Sequence, residues 1–457
     1  MHSDLWIKIQ QFDFDRPFSE YGFSVRLAAE NYWTENFARE AIEEYKKFMF
    51  LAATSNEMVS PSPIVDIVWH QHLIFTQSYH DFCTILGKHI DHVPSTHSRA
   101  QFQRFEKAKN TTAILYREYF GNQPRSIWEY ETMSGILGLS SSGFGIKKIV
   151  GTAIIVFPAL LLPIYYLLRP IYIQIENPYF LTYYIGIAGV SFILLERSNR
   201  RKLKEAFHSW PKESFLHKLS PYELTYLSGG KMNDVIHGAV NEMFEKNVLM
   251  LRDKQIHMDS SYTPQSPMEA TIMETYQHED ITNYSTFLHK LVLKPVFASL
   301  LATIDSFKEF FLGSTVFIRR FILNLGVLSI LFMAGSVRLL TGVARHKPVG
   351  YISVVLFVIL VLTIIFLRRF TRLLTVKVVP EYYRTTVIPE LDQSSLLKWS
   401  FFLFGYSALM GSFRPLVTYV ERRAVSDETG SSSSCGSSCG SGGSSCGSCG
   451  GCGGGGD

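Results

Sequence analysis

The residues best suited to chemistry lie close together. Asp66, His70, His72 and His92 fall within the stretch PSPIVDIVWHQHLIFTQSYHDFCTILGKHIDHVP. Imidazole nitrogens with a carboxylate oxygen are the donors of a zinc or copper ion. Cys83 adds a thiol to the same stretch. A second set of donors closes the chain: Cys435, Cys439, Cys446, Cys449 and Cys452, spaced C-x3-C and then C-x2-C-x2-C. That spacing permits thiolate binding of a metal, with no scaffold to fix its geometry.

The elements that must position the histidines decide between a site and a core. At 100° per residue, His70 and His72 on one helix point roughly 200° apart and cannot chelate one ion. Asp66 and His70, four apart, can meet. Ser62 caps this helix, Pro63 suits its first position, and Gly87 ends the helical stretch. If the helix ran unbroken, His70 would lie roughly 25 Å from Gly87, too far for His92 to fold back. A turn at Phe75, with Thr76 capping a second helix, would let the halves pack and bring His92 or Cys83 near His70 or His72. The competing reading is structural: Asp66 bonds His70, and His72 is a satisfied core histidine. Spacing places no base beside Cys83 for nucleophilic catalysis.

Around this stretch the chain reads as mainly α. In residues 35–53, Ala38, Ile42, Tyr45, Met49 and Ala52 make an apolar stripe, with Arg39, Glu43, Glu44 and Lys46 outside it. In residues 219–250, Ser220, Pro221 and Glu223 form a capping-box arrangement. Gly229-Gly230 then breaks to a second helix with Val235, Ile236, Ala239, Val240 and Phe244 on one side. This helix-turn-helix outline offers few basic residues for DNA. The net charge of +4 carries no phosphate track, so no nucleic-acid partner is expected.

The apolar residues are concentrated in four runs: Ile149–Leu168, Tyr179–Leu195, Phe321–Val337 and Val349–Leu367. Each is of a length to span the bilayer. Lys147 and Lys148, then Arg197, Arg200, Arg201, Lys202 and Lys204, then Arg319 and Arg320, then Arg368, Arg369 and Arg372 flank them on one side. By the positive-inside rule this predicts a multi-pass protein of the cell inner (plasma) membrane with both termini cytosolic. Arg338, Arg345 and Lys347 disagree, because they would face outside. A fifth apolar stretch, Trp399–Phe413, is short for a span and is expected at the interface or packed on other helices. The start, MHSDLWIKIQQFDFD, does not read as a cleaved secretion signal. The expected plan is a helical domain over 1–130, a linker over 131–148, hairpins over 149–195 and 321–367 around a helical domain at 196–320, a juxtamembrane region at 368–429, and a tail at 430–457. That tail contains only Gly, Ser and Cys with a final Asp, a composition that cannot offset ordering entropy and predicts disorder. With five of six cysteines there, no disulfide framework is expected and the folded parts suit a reducing compartment.

The pattern V-D-x-x-W-H-x-H-L, T-x-x-Y, Cys, H-x-P resembles the glycine-rich domain-containing protein-like family. Val65, Asp66, Trp69, His70, His72, Leu73, Thr76, Tyr79, Cys83, His92 and Pro94 carry it, and Phe105–Glu129 looks like that family's closing helix. Where relatives often show His-His before the proline, this chain has Asp91-His92. Leu219, Tyr222, Glu223, Tyr226, Leu227, Gly229 and Gly230, the SVRLLTGVARHKPVGY stretch and the tail resemble an uncharacterised family of bacterial membrane proteins with a Gly/Cys tail. Neither resemblance implies a reaction. The function expected from these features is that of a non-enzymatic membrane adaptor for protein interaction or metal handling, its partners being the lipid bilayer and a protein or tail-modifying enzyme. The alternative is a membrane-bound metal-dependent enzyme built on Asp66, His70, His72 and His92.

Overall fold

The computed structural model describes residues 2–93, 99–175, 179–252, 255–278 and 283–430. Pro94 and the tail cysteines Cys435, Cys439, Cys446, Cys449 and Cys452 lie outside the described residues.

The chain is almost entirely helical. The N-terminal part contains α1 (His2–Gln11), α2 (Phe23–Asn31), α3 (Glu35–Thr54), α4 (Pro63–Ile74), α5 (Thr76–Leu86), α6 (Arg99–Phe120) and the short α7 (Arg125–Trp128). Helix α3 is its axis and packs on α1, α2, α4 and α6. Its apolar stripe explains why: Phe37, Ala38, Ala41, Ile42, Tyr45, Phe48 and Met49 are all buried. One carboxylate is buried with them. Glu44 accepts hydrogen bonds from Tyr116 Oη and Trp128 Nε1, both at 2.7 Å, and pairs with Lys47, so its charge is satisfied.

Four helices are long and apolar enough to cross a membrane: α8 (Ile146–Gln174), α9 (Tyr179–Ser209), α15 (Thr315–Ala344) and α16 (Gly350–Thr371). Of these α15 is central, packing on the other three. It approaches closely at Gly335, where a Cβ would stand 2.7 Å from Leu356 Cδ2 and would also meet Tyr184 Oη. The buried Asn199 and Asn324 exchange amide hydrogen bonds of 2.9 and 3.3 Å between α9 and α15. Helices α9 and α15 are about 45 Å long, well beyond the ~30 Å hydrocarbon layer. Their surplus turns enter the helical body, where Leu203, Phe207, Phe317 and Ile318 are buried.

Arg338 of α15 is held by the end of α8. Its guanidinium donates to the carbonyls of Tyr172 and Ile175 at the end of α8, the latter at 2.8 Å, and lies 4.9 Å from the Phe180 ring centre. Helix C-termini expose carbonyls that no later residue satisfies. Arg338 therefore serves as a cap at the C-terminal end of α8 and a cation–π partner of Phe180 in α9.

Between the two pairs of membrane-length helices lie α10 (Pro221–Gly229), α11 (Met232–Glu245), the antiparallel hairpin β1 (Leu249–Arg252) and β2 (Gln255–Met258), α12 (Pro267–His278), α13 (Tyr284–Val292) and α14 (Pro295–Leu312). In register, Leu249 faces Met258 and Arg252 faces Gln255. The capping box forms as the residues dictate, and Gly230 takes the left-handed φ of 72° that ends α10. Helices α13 and α14 are together apolar enough for a fifth, bent span. However, α14 packs on α2 and α10, and Thr303 bonds the Trp33 carbonyl at 3.2 Å, so the pair belongs to the body.

This middle region shares one core with the N-terminal helices. Glu223 marks the joint: its carboxylate accepts from Ser220 N in the capping box and from Glu35 N at the start of α3, at 2.7 and 2.8 Å. Burial pushes its carboxyl up to about 7, against the pull of these bonds. After α16 the chain passes through α17 (Val379–Tyr382), α18 (Gln393–Phe404) and α19 (Arg414–Gly430). The apolar stretch at 399–413 packs on the body: Trp399, Phe401, Phe402 and Phe413 are buried, and a Cβ on Gly238 of α11 would come within 3.2 Å of the Phe401 ring.

Candidate metal centre

The helical stretch after Ser62 breaks at Phe75, whose backbone (φ −85°, ψ 64°) is non-helical. Ser62 Oγ caps α4 by accepting from Val65 N at 3.2 Å. Thr76 starts α5, and its N-cap is Phe75, without a side-chain bond. Helix α5 packs back on α4. Gly87, at φ 70°, then reverses the chain. The following segment is pinned by Tyr79, whose hydroxyl donates to the Ile90 carbonyl and accepts from Trp69 Nε1 at 3.2 Å. Burial keeps that phenol protonated by raising its pKa. Trp69 also meets the His92 ring edge-on, 4.6 Å between centres.

This path returns His92 to the exposed face of α4. His92 Nε2 lies 3.0 Å from Asp66 Oδ1 and 3.0 Å from His70 Nε2, while His70 Nε2 is 3.6 Å from Asp66 Oδ2. Their candidate ligand atoms all lie within 4.8 Å of one another, the one such trio of His, Cys, Asp or Glu among the described residues. Two Zn–N bonds of 2.0–2.1 Å at a tetrahedral angle span about 3.3 Å between nitrogens. The imidazoles would open by only a few tenths of an ångström to admit an ion. The site faces solvent: the His70, Asp66 and His92 side chains are 59 %, 40 % and 18 % exposed. Three protein donors leave a fourth position to water or another ligand.

His72 is not a member of this set. It points to the other face of α4 and is fully buried. Its Nδ1 is 2.9 Å from Tyr45 Oη and its Nε2 is 3.1 Å from Ser78 Oγ. Phe14, Phe23 and Tyr79 present their rings edge-on to it. Burial drives its pKa down to about 3, so it is neutral. The reason is the helical angle: two residues apart means opposite faces. Asp66 also bonds a different histidine from the one four residues on. Its 3.0 Å contact is with His92, and His70 is the more distant partner. Cys83 is buried in the core. Spacing gave no sign that Tyr45 and Ser78 would be the partners of His72, or that Tyr79 would tether the segment carrying His92.

These features define a helical domain with a solvent-facing His-His-Asp trio, built onto a bundle of membrane-length helices. Comparison with known proteins reaches only the first part. Residues 9–112, under a quarter of the chain, match the family described as UCP032817-like. The chain is 24 % identical over 107 residues to glycine-rich domain-containing protein 1 of Arabidopsis thaliana. That similarity covers 22 % of this chain and 13 % of the relative's length. No solved structure matches.

Proposed function

We propose that this is a multi-pass membrane protein that handles a divalent transition-metal ion at Asp66, His70 and His92. The convergence of the three side chains on one point carries this reading. Two imidazoles and a carboxylate suit zinc or copper(II). The exposure of the trio suits an ion that is exchanged with a partner, in the manner of an adaptor, and an enzyme would need more water excluded around the fourth position. The basic flanks of the helices favour a cytosolic body and cytosolic termini. The tail cysteines are a second set of donors in the same compartment. The protein therefore presents metal ligands from two ends of one membrane-anchored chain.

Elemental analysis of the purified full-length protein, beside a form ending at Thr429 and an Asp66→Asn/His92→Ala variant, tests this. Metal retained at one equivalent by the truncated form and lost from the double variant is the expected result. Metal lost only on truncation would assign binding to the cysteines alone, and metal absent from all forms would overturn the reading.

A further inference from the structure

The exposed face of α9 changes character abruptly where the helix leaves the apolar layer. Tyr183, Ile187, Val190 and Leu194, spaced by four, three and four residues, form one outward stripe, with exposures of 70, 59, 56 and 59 %. The same spacing continues into Arg197, Arg201, Lys204 and His208, so all eight lie on one side of the helix. A shallow, open groove of about 730 Å³ follows the basic half, lined by those four residues with Arg200, Glu205 and Ser209.

The cations of this groove are not equivalent. Lys204 and Arg200 both pair with Glu381, at 2.7 and 2.9 Å. Arg201 pairs with Glu205 of its own helix at 2.8 Å, but its side chain is 81 % exposed. Such a pair contributes little and is readily exchanged for another anion. Arg197 is exposed and has no ionic partner among the described residues. It stands three residues, about one turn, beyond Leu194, where the apolar stripe ends. An uncompensated guanidinium below a lipid-facing apolar ridge matches an amphiphile with one anionic head and long apolar chains.

We propose that the stripe on α9 is a binding site for an anionic phospholipid of the leaflet bordering the helical body. Its phosphate sits between Arg197 and Arg201, and an acyl chain lies along Leu194, Val190 and Ile187. The site is independent of the metal centre. Helix α16 supplies an internal control, because Val358, Val361 and Ile365 are followed by Arg368 and Arg372 at the same spacing. What α9 adds to that arrangement is the groove beside its basic half; if two arginines below an apolar ridge were enough, the α16 stripe would serve equally well.

The test uses the full-length protein in bilayers of equal phosphatidylcholine and phosphatidylglycerol, with native mass spectrometry counting the lipids retained on release. Phosphatidylglycerol should be enriched on the wild type. Arg197→Gln/Arg201→Gln should cut that enrichment about tenfold, while Arg197→Lys/Arg201→Lys keeps most of it. Arg368→Gln/Arg372→Gln should have the smaller effect. Unchanged enrichment in the Arg197/Arg201 glutamine variant would overturn the proposal, as would an equal loss in the α16 variant. Displacement of phosphatidylglycerol by millimolar inorganic phosphate would also overturn it, by assigning the groove to the free ion.

Discussion

His70 and His72 are separated by one residue on α4 and have opposite fates. His70 stands in solvent beside His92 and Asp66, while His72 is sealed among aromatic rings with both nitrogens engaged. The same side chain thus serves as a candidate ligand on one face and as a core residue on the other. What separates them is the helical period and what packs against each face. A histidine-rich motif is therefore not a unit of function: half of this one builds the domain that holds the other half in place.

The largest effect expected from this contrast is on folding. His72→Ala would leave a cavity and strip Tyr45 Oη and Ser78 Oγ of a partner, a combined cost of about 3–5 kcal/mol. Thermal melting of the full-length protein in detergent should fall by several degrees, with metal stoichiometry in the surviving folded fraction unchanged. A His72→Ala protein that melts normally but loses metal would invert the assignment.

Asp66→Asn and His92→Ala should do the reverse. Zinc affinity by competition titration should drop at least about 100-fold, more than the 10–100-fold that supporting partners usually cost. Melting without metal should stay close to wild type for Asp66→Asn, at a side chain 40 % exposed, and fall slightly for His92→Ala, whose ring packs on Trp69. If each variant bound zinc as tightly as the wild type, the trio would be only a hydrogen-bonded cluster.

The contrast also predicts a pH dependence of one sign. His72 titrates near 3 in the folded state and near 6.5 when unfolded, so between these values the unfolded chain binds more protons. Its contribution to stability is complete above about pH 6.5 and is lost as the pH falls toward 3, amounting to about 2 kcal/mol at pH 5. His217, pushed down to about 4 by burial, and His237, also lowered, act in the same direction. The informative quantity is thus the difference between wild type and His72→Gln, whose melting temperature should fall less steeply between pH 7 and pH 5. Parallel curves would mean that His72 is not held neutral.

How much of this was legible in the sequence follows from the range of each interaction. The four apolar runs, the Ser62-Pro63 and Ser220-Pro221-Glu223 caps, and the opposition of His70 to His72 are local, set by composition and the helical period. The return of His92 is not local. It depends on a break at Phe75, which the sequence offered as one alternative but which no Pro or Gly selects, and on a tether from Tyr79 to a backbone carbonyl, which nothing in the sequence marks. The shared core of the N-terminal and middle regions was hidden for a similar reason. Glu223 reads as an ordinary capping residue until α3 brings the Glu35 amide to its other oxygen. The partners of Arg338 are likewise hidden, because they are backbone carbonyls at the end of α8, which sequence does not distinguish.

The tether gives the smallest effect and the finest test. Tyr79→Phe keeps the ring that packs edge-on against His72, 5.2 Å between centres, so the buried histidine should not notice the change. It removes the hydroxyl that holds Ile90, two residues before His92, and the acceptor for Trp69 Nε1. The segment carrying His92 then pays more conformational entropy to reach the ion, and zinc affinity should fall about tenfold, typical of losing a supporting partner. Combined with His92→Ala, the same change should cost nothing further, because the ligand it positions is gone. Additive losses in the double variant would mean that Tyr79 acts elsewhere in the domain, and that Asp66 alone holds His92 beside His70.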